Sequence, residues 1–380
     1  MRVGIDGRAF TWSGIGRYIR HLVAALAKIY GGEHFVIFLP HIWHQQARKI
    51  WGASVSLVDV TASYYSWREQ YLLPWQLRRG RGLLMHFTHF NAPLLYRRPL
   101  VVTIHDLTRF AFPPQRRRGK WQEWAHAAVW YSVVRRAVRV ICVSETTRRQ
   151  LLARCPWAKK KSVVIREGIS EIFQAQTSGA DKQILRRLRV SQPYLLNVGV
   201  WMQHKNHARL LSAFARLKAR GWRGKLVITG AGRPSDVNVP QLVRKMGLER
   251  EVIFPGFVSD EELAVLYRHA EIFLFPSLAE GFGLPPLEAM ASGTPVVASR
   301  AGSLPEILGR AAVWVNPWRV ESIAEGIWGL LVSPPRCRKY TVEGLRHVQQ
   351  YRWEKAARAT WEVYREAWAI ACQQRKIQVH

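Results

Sequence analysis

Acidic residues are scarce in this chain: its 380 residues hold 26 Asp plus Glu against 57 Lys plus Arg, a formal charge of +31. Cysteine is scarcer still. Cys142, Cys155, Cys337 and Cys372 stand far apart, with no C-x-x-C pair and no framework for a disulfide-stapled domain. No apolar run approaches the roughly 18–20 residues that a membrane span needs, and the start at Met1–Gly7 lacks the apolar core of a secretory signal. Neither H-E-x-x-H nor Asp-x-Asp occurs. The pairs His41/His44, His86/His89 and His204/His207 have no Cys or carboxylate in register, so no metal site is expected. No short-period repeat is present, which argues against a solenoid. Together these absences predict a cytoplasmic protein without a membrane span.

What is present supports two cores. The chain is 48% apolar and 11% aromatic, enough to exclude disorder, and its length suggests two domains. Residues 1–190 carry 32 basic and 10 acidic groups; residues 191–380 carry 25 and 16. Such a field concentrates anions: nucleic acid, anionic headgroups or phosphorylated small molecules. Basic clusters at Arg78-Arg79-Arg81, Arg116–Arg118 and Lys159–Lys161 lie beside Trp75, Trp121, Trp124 and Trp157. Arg next to Trp suits a membrane interface. A uniformly basic surface is the plainer reading, and charge alone decides between them no further.

Apolar β-branched runs alternate with amphipathic stretches. Arg2–Ile5, Phe35–Leu39, Leu100–Ile104 and Val138–Val143 read as strands. A helix is predicted from about Arg17, and Ser144 suits the N-cap of another over Glu145–Leu152. The pattern restarts after Ser178. Tyr194–Val198, Lys225–Thr229, Val252–Phe254, Ile272–Phe275 and Pro295–Ala298 read as strands, with helices near 206–217, 261–269 and 286–292. Residues 353–371 form a last long helix. Alternation of this kind predicts βαβ units: an N-terminal Rossmann-like domain over 1–175, a linker over 176–190, a C-terminal Rossmann-like domain over 191–350 and a final helix over 351–380.

In such sheets ligands bind beyond the C-terminal strand ends, and the informative loops all lie there. Pro276–Met290 follows a strand and opens a helix. Gly281 and Gly283 admit close backbone approach, Pro285 and Pro286 suit a first turn, and the helix N-terminus can seat a diphosphate. Glu280 and Glu288 can accept hydrogen bonds from sugar hydroxyls. Asn197–His207 is again strand, loop and helix start; a cation at Lys205 opposes the helix dipole unless an anion is present. His105-Asp106 ends another strand, as a ligand contact or as a structural hydrogen bonder. Gly14-Ile15-Gly16 is half of a dinucleotide fingerprint.

Taken together these stretches resemble the retaining glycosyltransferases of family 4, which have the two-domain GT-B architecture. Glu280-x7-Glu288 is similar to that family's E-x7-E signature, and the likeness extends to Ala301–Glu306, Gly256–Val258, Lys205-Asn206, Gly14–Tyr18, Glu69-Gln70, His89–Pro93 and His105-Asp106. The resemblance implies two doubly wound domains facing a central cleft, with the last helix crossing back to the N-terminal domain. It assigns the donor sugar to Glu280 and His105, with Asp106 beside them, and the ribose to Glu288. It gives the departing diphosphate to Lys205 and the amides of Phe282, Gly283 and Leu284. Gly256, Phe257 and Val258 would border the base. Gly14 and Gly16 would pass close to the phosphates, and Arg17, His89 and Asn91 would lie on the acceptor side.

Two departures are visible. Val200 and His204 stand where the family often has an Arg before Lys205, which shifts weight to Lys205, the helix dipole or Arg17. Arg166-Glu167 replaces a common Pro-Asn, an exchange that puts nothing catalytic in doubt. The implied activity is hexosyl transfer, best matched by mannose from GDP-mannose to a lipid-linked or polysaccharide acceptor. Neither cofactor nor metal is implied, and no specific nucleic acid. The enzyme would sit peripherally on the inner face of the plasma membrane, with the stretch Arg116–Arg139 against anionic lipid. Alternatives are an epimerase or phosphorylase of the same fold, and a basic nucleic-acid-binding protein. A glycoside hydrolase could use two such glutamates but would not need Lys205 or a phosphate seat.

Overall fold

A computed structural model describes residues 1–78, 84–112, 120–232 and 237–377. The chain forms two compact units. The first holds β1 (Val3–Asp6), α1 (Gly14–Tyr30), β2 (Phe35–Leu39), α2 (His44–Trp51), β3 (Ser56–Asp59), α3 (Trp67–Leu77), β4 (Leu84–Phe87) and β5 (Leu100–Ile104). The short α4 (Thr108–Ala111) groups with the second unit. The first unit resumes with α5 (Lys120–Arg136), β6 (Arg139–Cys142), α6 (Glu145–Arg154) and β7 (Ser162–Val164).

Its seven strands are all parallel, in the order β3-β2-β1-β4-β5-β6-β7. Side chains alternate across the sheet with period two. Val3, Ile5, Phe35, Ile37 and Leu84 join one core. Val36, Phe38, Met85 and Phe87 join the other, beneath α3, α5 and α6. Helix α1 begins at Gly14 rather than near Arg17. A Cβ on Gly16 would lie 2.4 Å from the Phe10 carbonyl oxygen, so this glycine lets the helix pack on the turn after β1 and does not mark a loop.

The second unit holds α7 (Asp181–Arg187), β8 (Tyr194–Val198), α8 (His207–Ala219), β9 (Lys225–Thr229), α9 (Val239–Lys245), β10 (Val252–Ile253), α10 (Asp260–Arg268), β11 (Ile272–Phe275), α11 (Leu284–Ala291), β12 (Val296–Ser299), α12 (Leu304–Leu308), β13 (Ala312–Val315), α13 (Val320–Leu331) and α14 (Pro334–Val348). Its parallel sheet runs β10-β9-β8-β11-β12-β13. The stretch 176–190, expected as a linker, contains α7. Asp181 is buried and pairs with Arg268 Nη2 and His269 Nε2, each at 3.0 Å. Polar composition here reflects a short helix with one wet face. The chain returns to the first unit with α15 (Trp353–Ile377), where Ala356, Ala357 and Ala367 give close packing on α1 and Trp361 stacks on Tyr30 at 4.4 Å.

Candidate active site

Each sheet reverses its winding at one point: between β1 and β4 in the first unit, and between β8 and β11 in the second. The loops beyond those strand ends are where a doubly wound sheet opens to ligands. In the second unit the loop after β8 carries Lys205 and the loop after β11 carries Glu280. Their side chains meet, Lys205 Nζ donating to Glu280 Oε1 at 2.7 Å, both mostly buried. Lys205 also lies 4.9 Å from the centre of the Phe275 ring. Asn206, in the left-handed conformation at φ +62, ties the two loops together. Its Nδ2 donates to the carbonyls of Pro276 (3.0 Å) and Pro317 (2.7 Å). The Lys-Asn pair therefore combines a cation with its anchor.

A second device fixes Glu280. Gly302 has φ +57, and a Cβ there would lie 2.6 Å from Glu280 N and 2.7 Å from Glu280 O. Ser303 N donates to Glu280 O at 3.1 Å, and Ser303 Oγ to Phe282 O at 3.0 Å. Gly281, Phe282, Gly283 and Leu284 are buried, with Gly283 (φ +104) as the N-cap of α11. Pro285 and Pro286 carry no N–H, so the donors at this end come from the turn before them and from Leu284. Glu288 lies within α11, buried, and Tyr267 Oη donates to its Oε2 at 3.1 Å. Gly256, Phe257 and Val258 follow β10. Thr229 Oγ1 donates to Gly256 O at 3.1 Å, and Phe257 is 89% exposed. His207, at the first position of α8, is buried with neither ring nitrogen hydrogen-bonded among the described residues. Burial, then Lys205 and His204, push it down to about 3.

The first unit gathers the remaining expected residues at the ends of β1, β4 and β5. Gly14, Gly16 and Arg17 open α1. His105 follows β5; its Nδ1 lies 3.0 Å from Glu167 Oε1 and its Nε2 2.9 Å from the Thr88 carbonyl. Glu167 is buried. The Arg166-Glu167 exchange thus reaches a candidate site residue directly, through a contact that its spacing in the sequence does not signal. Asp106, next in sequence, is exposed. Tyr18 packs edge-on against His105 at 4.8 Å, over a buried chain in which Tyr18 Oη meets Thr103 Oγ1 (3.1 Å), Thr103 Oγ1 meets His86 Nε2 (2.8 Å) and His86 Nδ1 meets Tyr364 Oη (2.7 Å).

His89 and Asn91 follow β4. The Asn91 amide donates to Glu69 Oε2 at 2.7 Å, and Glu69 Oε1 accepts from Arg8 Nη1 at 2.7 Å. Arg8 also grips Asp6 through Nε (2.9 Å) and Nη2 (2.8 Å). Burial pushes the Glu69 carboxyl up despite Arg8. His89 sits among Trp12, Tyr64 and Phe90. Asp6, Arg8 and Tyr64 are thus site neighbours that sequence patterns did not single out. Asp6 ends β1 as His105 follows β5, and that shared position was the available signal. Among the described residues no group of three His, Cys, Asp or Glu is arranged to hold a metal ion.

Similarity to known proteins identifies the family and the fold. Residues 12–171 match the model for Glycosyltransferase Family 4, and residues 182–346 that for Glycosyl transferases group 1. The chain is 28% identical over 371 residues to the O-antigen chain mannosyltransferase B of Escherichia coli, covering 93% of this chain and 96% of that one. It is 31% identical over 294 residues to an uncharacterized glycosyltransferase of Methanocaldococcus jannaschii, covering 75% of this chain and 73% of the relative. Among solved structures it is similar to Anabaena HepE in complex with UDP and glucose: TM-score 0.76, 18% identity, 95% of this chain and 98% of that chain covered. The chain belongs to glycosyltransferase family 4 and has the GT-B fold.

Proposed function

We propose that this glycosyltransferase moves mannose from GDP-mannose to a hydroxyl of a lipid-linked or polysaccharide acceptor, with retention of anomeric configuration and without a metal ion. The observation that carries the reading is the Lys205–Glu280 contact of 2.7 Å at the β8/β11 winding reversal, beside the N-terminus of α11. It sets a cation and a carboxylate side by side, as a sugar diphosphate needs. Lys205 has three N–H donors and gives one to Glu280; the others serve phosphate oxygens. Glu280 orients Lys205 and accepts from hydroxyls of the sugar.

Glycosyl transfer builds negative charge on the departing diphosphate and positive charge on the sugar. Preorganised donors at Lys205 and at the Phe282–Leu284 turn stabilise the first. The acceptor hydroxyl attacks from the leaving-group side and gives its proton to the departing phosphate, so no protein base is required. Support for mannose is the likeness, along nearly the whole chain, to an O-antigen chain mannosyltransferase. A lipid-linked acceptor places the enzyme on the cytoplasmic face of a membrane as a peripheral protein; no helix among the described residues is long and apolar enough to cross one.

The test is transfer of labelled mannose, compared with glucose and galactose from their nucleotides, with EDTA present. Mannose incorporation from GDP-mannose, with the donor's anomeric configuration kept in the product by NMR, is the expected result. Transfer only of another sugar, inversion, or loss of activity in EDTA contradicts the corresponding part.

A further inference from the structure

Helices α3, α5 and α6 cover one face of the first sheet: Leu73, Leu77, Val133, Val134 and Leu151 all enter the same core. Their outward sides do not read as an ordinary wet surface. On α3, Glu69, Leu73 and Gln76 are buried, while Trp67, Tyr71 and Trp75, four residues apart, share the opposite side. They are 86%, 61% and 54% exposed. Beside them lie two exposed leucines, Leu94 and Leu95, on the loop after β4. That loop is pinned between two helices: Leu94 N donates to Gln70 Oε1 on α3 at 2.9 Å, and Arg136 Nη2 on α5 donates to Pro93 O at 3.0 Å. Farther along the layer, Tyr131 on α5 meets Trp157 edge-on at 5.6 Å, and Lys161 Nζ lies 4.9 Å from the Trp157 ring centre.

The charge of the molecule is concentrated in the same part of the chain. Residues 61–161 contain 20 Lys or Arg and only four Asp or Glu. Two of the four acids are committed: Glu69 is buried against Arg8, and Glu145 pairs with Arg148 at 3.6 Å. Arg68, Arg78, Arg97 and Arg135 are exposed around the aromatic row. Arg79, Arg81 and Arg116–Arg118 lie outside the described residues.

We propose that this face docks on an anionic lipid bilayer, with Trp67, Tyr71, Trp75, Leu94 and Leu95 entering the interface and the surrounding arginines meeting headgroup phosphates. The docking surface thereby centres on α3 and its neighbouring loop, and extends along α5, rather than resting on the Arg116–Arg139 stretch alone. Trp and Tyr are the side chains that settle at headgroup depth, and basic residues around them add attraction to an anionic surface. A second copy of the chain fits poorly, since it would bring two strongly positive faces together. Nucleic acid would use the charge and the aromatic rings but gives adjacent leucines no role. This inference rests on the membrane-borne acceptor of the proposed function and names the surface that reaches it.

The experiment is co-sedimentation of the full chain with phosphatidylcholine vesicles, and with vesicles holding about one-third phosphatidylglycerol, at low and high salt. The wild type is expected to bind only the anionic vesicles, less at high salt. The Trp67→Ser/Tyr71→Ser/Trp75→Ser variant is expected to partition at least about tenfold more weakly, and the single Trp67→Ser variant by an intermediate amount. Unchanged melting temperature and unchanged mannose transfer to a water-soluble acceptor show that the variants are folded. Absence of wild-type binding overturns the proposal, as does equal binding by the triple variant. So does a wild-type dimer in sedimentation velocity that the triple variant loses, or RNA binding that anionic vesicles cannot compete away. Failure of mannose transfer in the wild type, with vesicle binding intact, strikes instead at the reading of function.

Discussion

Glu167 holds His105: the carboxylate oxygen Oε1 lies 3.0 Å from ring nitrogen Nδ1, while the Thr88 carbonyl faces Nε2 at 2.9 Å. The carboxylate, the carbonyl and Tyr18 edge-on against the ring together orient the imidazole. On the proposed function, Glu167 acts through His105, as a positioning residue. Glu167→Ala is expected to lower kcat roughly 10- to 100-fold with little change in donor KM, and Glu167→Gln, which keeps an acceptor oxygen, to recover most of it. Steady-state kinetics of both variants checks this; equal loss in both would point to a structural role alone.

Glu280 is expected to separate binding from transfer. Glu280→Ala leaves Lys205 in place for phosphate but removes the acceptor for sugar hydroxyls, so transfer should fall by at least about a hundredfold. GDP binding should persist. Calorimetric titration beside the transfer assay distinguishes the two, and near wild-type turnover would sink the assignment of Glu280.

The glycines of the α1 start differ in kind. Gly14 has nothing within 4 Å of an added Cβ, whereas Gly16 meets the Phe10 carbonyl at 2.4 Å. Gly16→Ala is expected to destabilise the fold by about 1–3 kcal/mol, and Gly14→Ala to leave the melting temperature unchanged. If Gly14 borders the donor, Gly14→Ala raises donor KM all the same. Equal melting temperatures for the two variants would contradict the packing account.

Acid should unfold this protein through two buried histidines. His86, buried and beside His105, and His207, buried and near Lys205, are both pushed down to about 3. In the unfolded chain each titrates near about 6.5. Between these values the unfolded state binds more protons, so stability rises with pH. The contribution is complete above the unfolded pKa and is lost as pH falls toward the folded one. His207→Leu removes one titrating ring and is expected to cut the slope of unfolding free energy below pH 6.5 by about 1.4 kcal/mol per pH unit at most. Urea unfolding from pH 7 to 5 measures it; an unchanged slope would refute the assignment.

Local signals were legible in the sequence. Ser144 stands as the N-cap of α6, its Oγ accepting from Thr147 N at 3.0 Å; Lys205 and Glu280 lie in loops that follow apolar strands, and Glu288 lies on the helix that the second loop opens. Long-range partners were not legible. Strand β4 (Leu84–Phe87) was hidden by His86, whose hydrogen bond goes to Tyr364, 278 residues away. Glu167 meets His105 across 62 positions, and the Asn91 amide meets Glu69 across 22. Gly14 and Gly16 have poor helix propensity and favour a later start for α1, a weak local preference that packing of the Gly16 side overrides.

The most direct test of the central claim, that the Lys205–Glu280 pair seats the diphosphate of a nucleotide sugar, is thermal unfolding with GDP, UDP, dTDP or ADP in EDTA. A nucleotide at about 100 times its Kd adds about 2.7 kcal/mol, enough for a clear rise in Tm. The account predicts a rise with GDP that EDTA does not diminish and that Lys205→Ala removes. No rise with any of the four nucleotides, or a rise that survives Lys205→Ala undiminished, would contradict it.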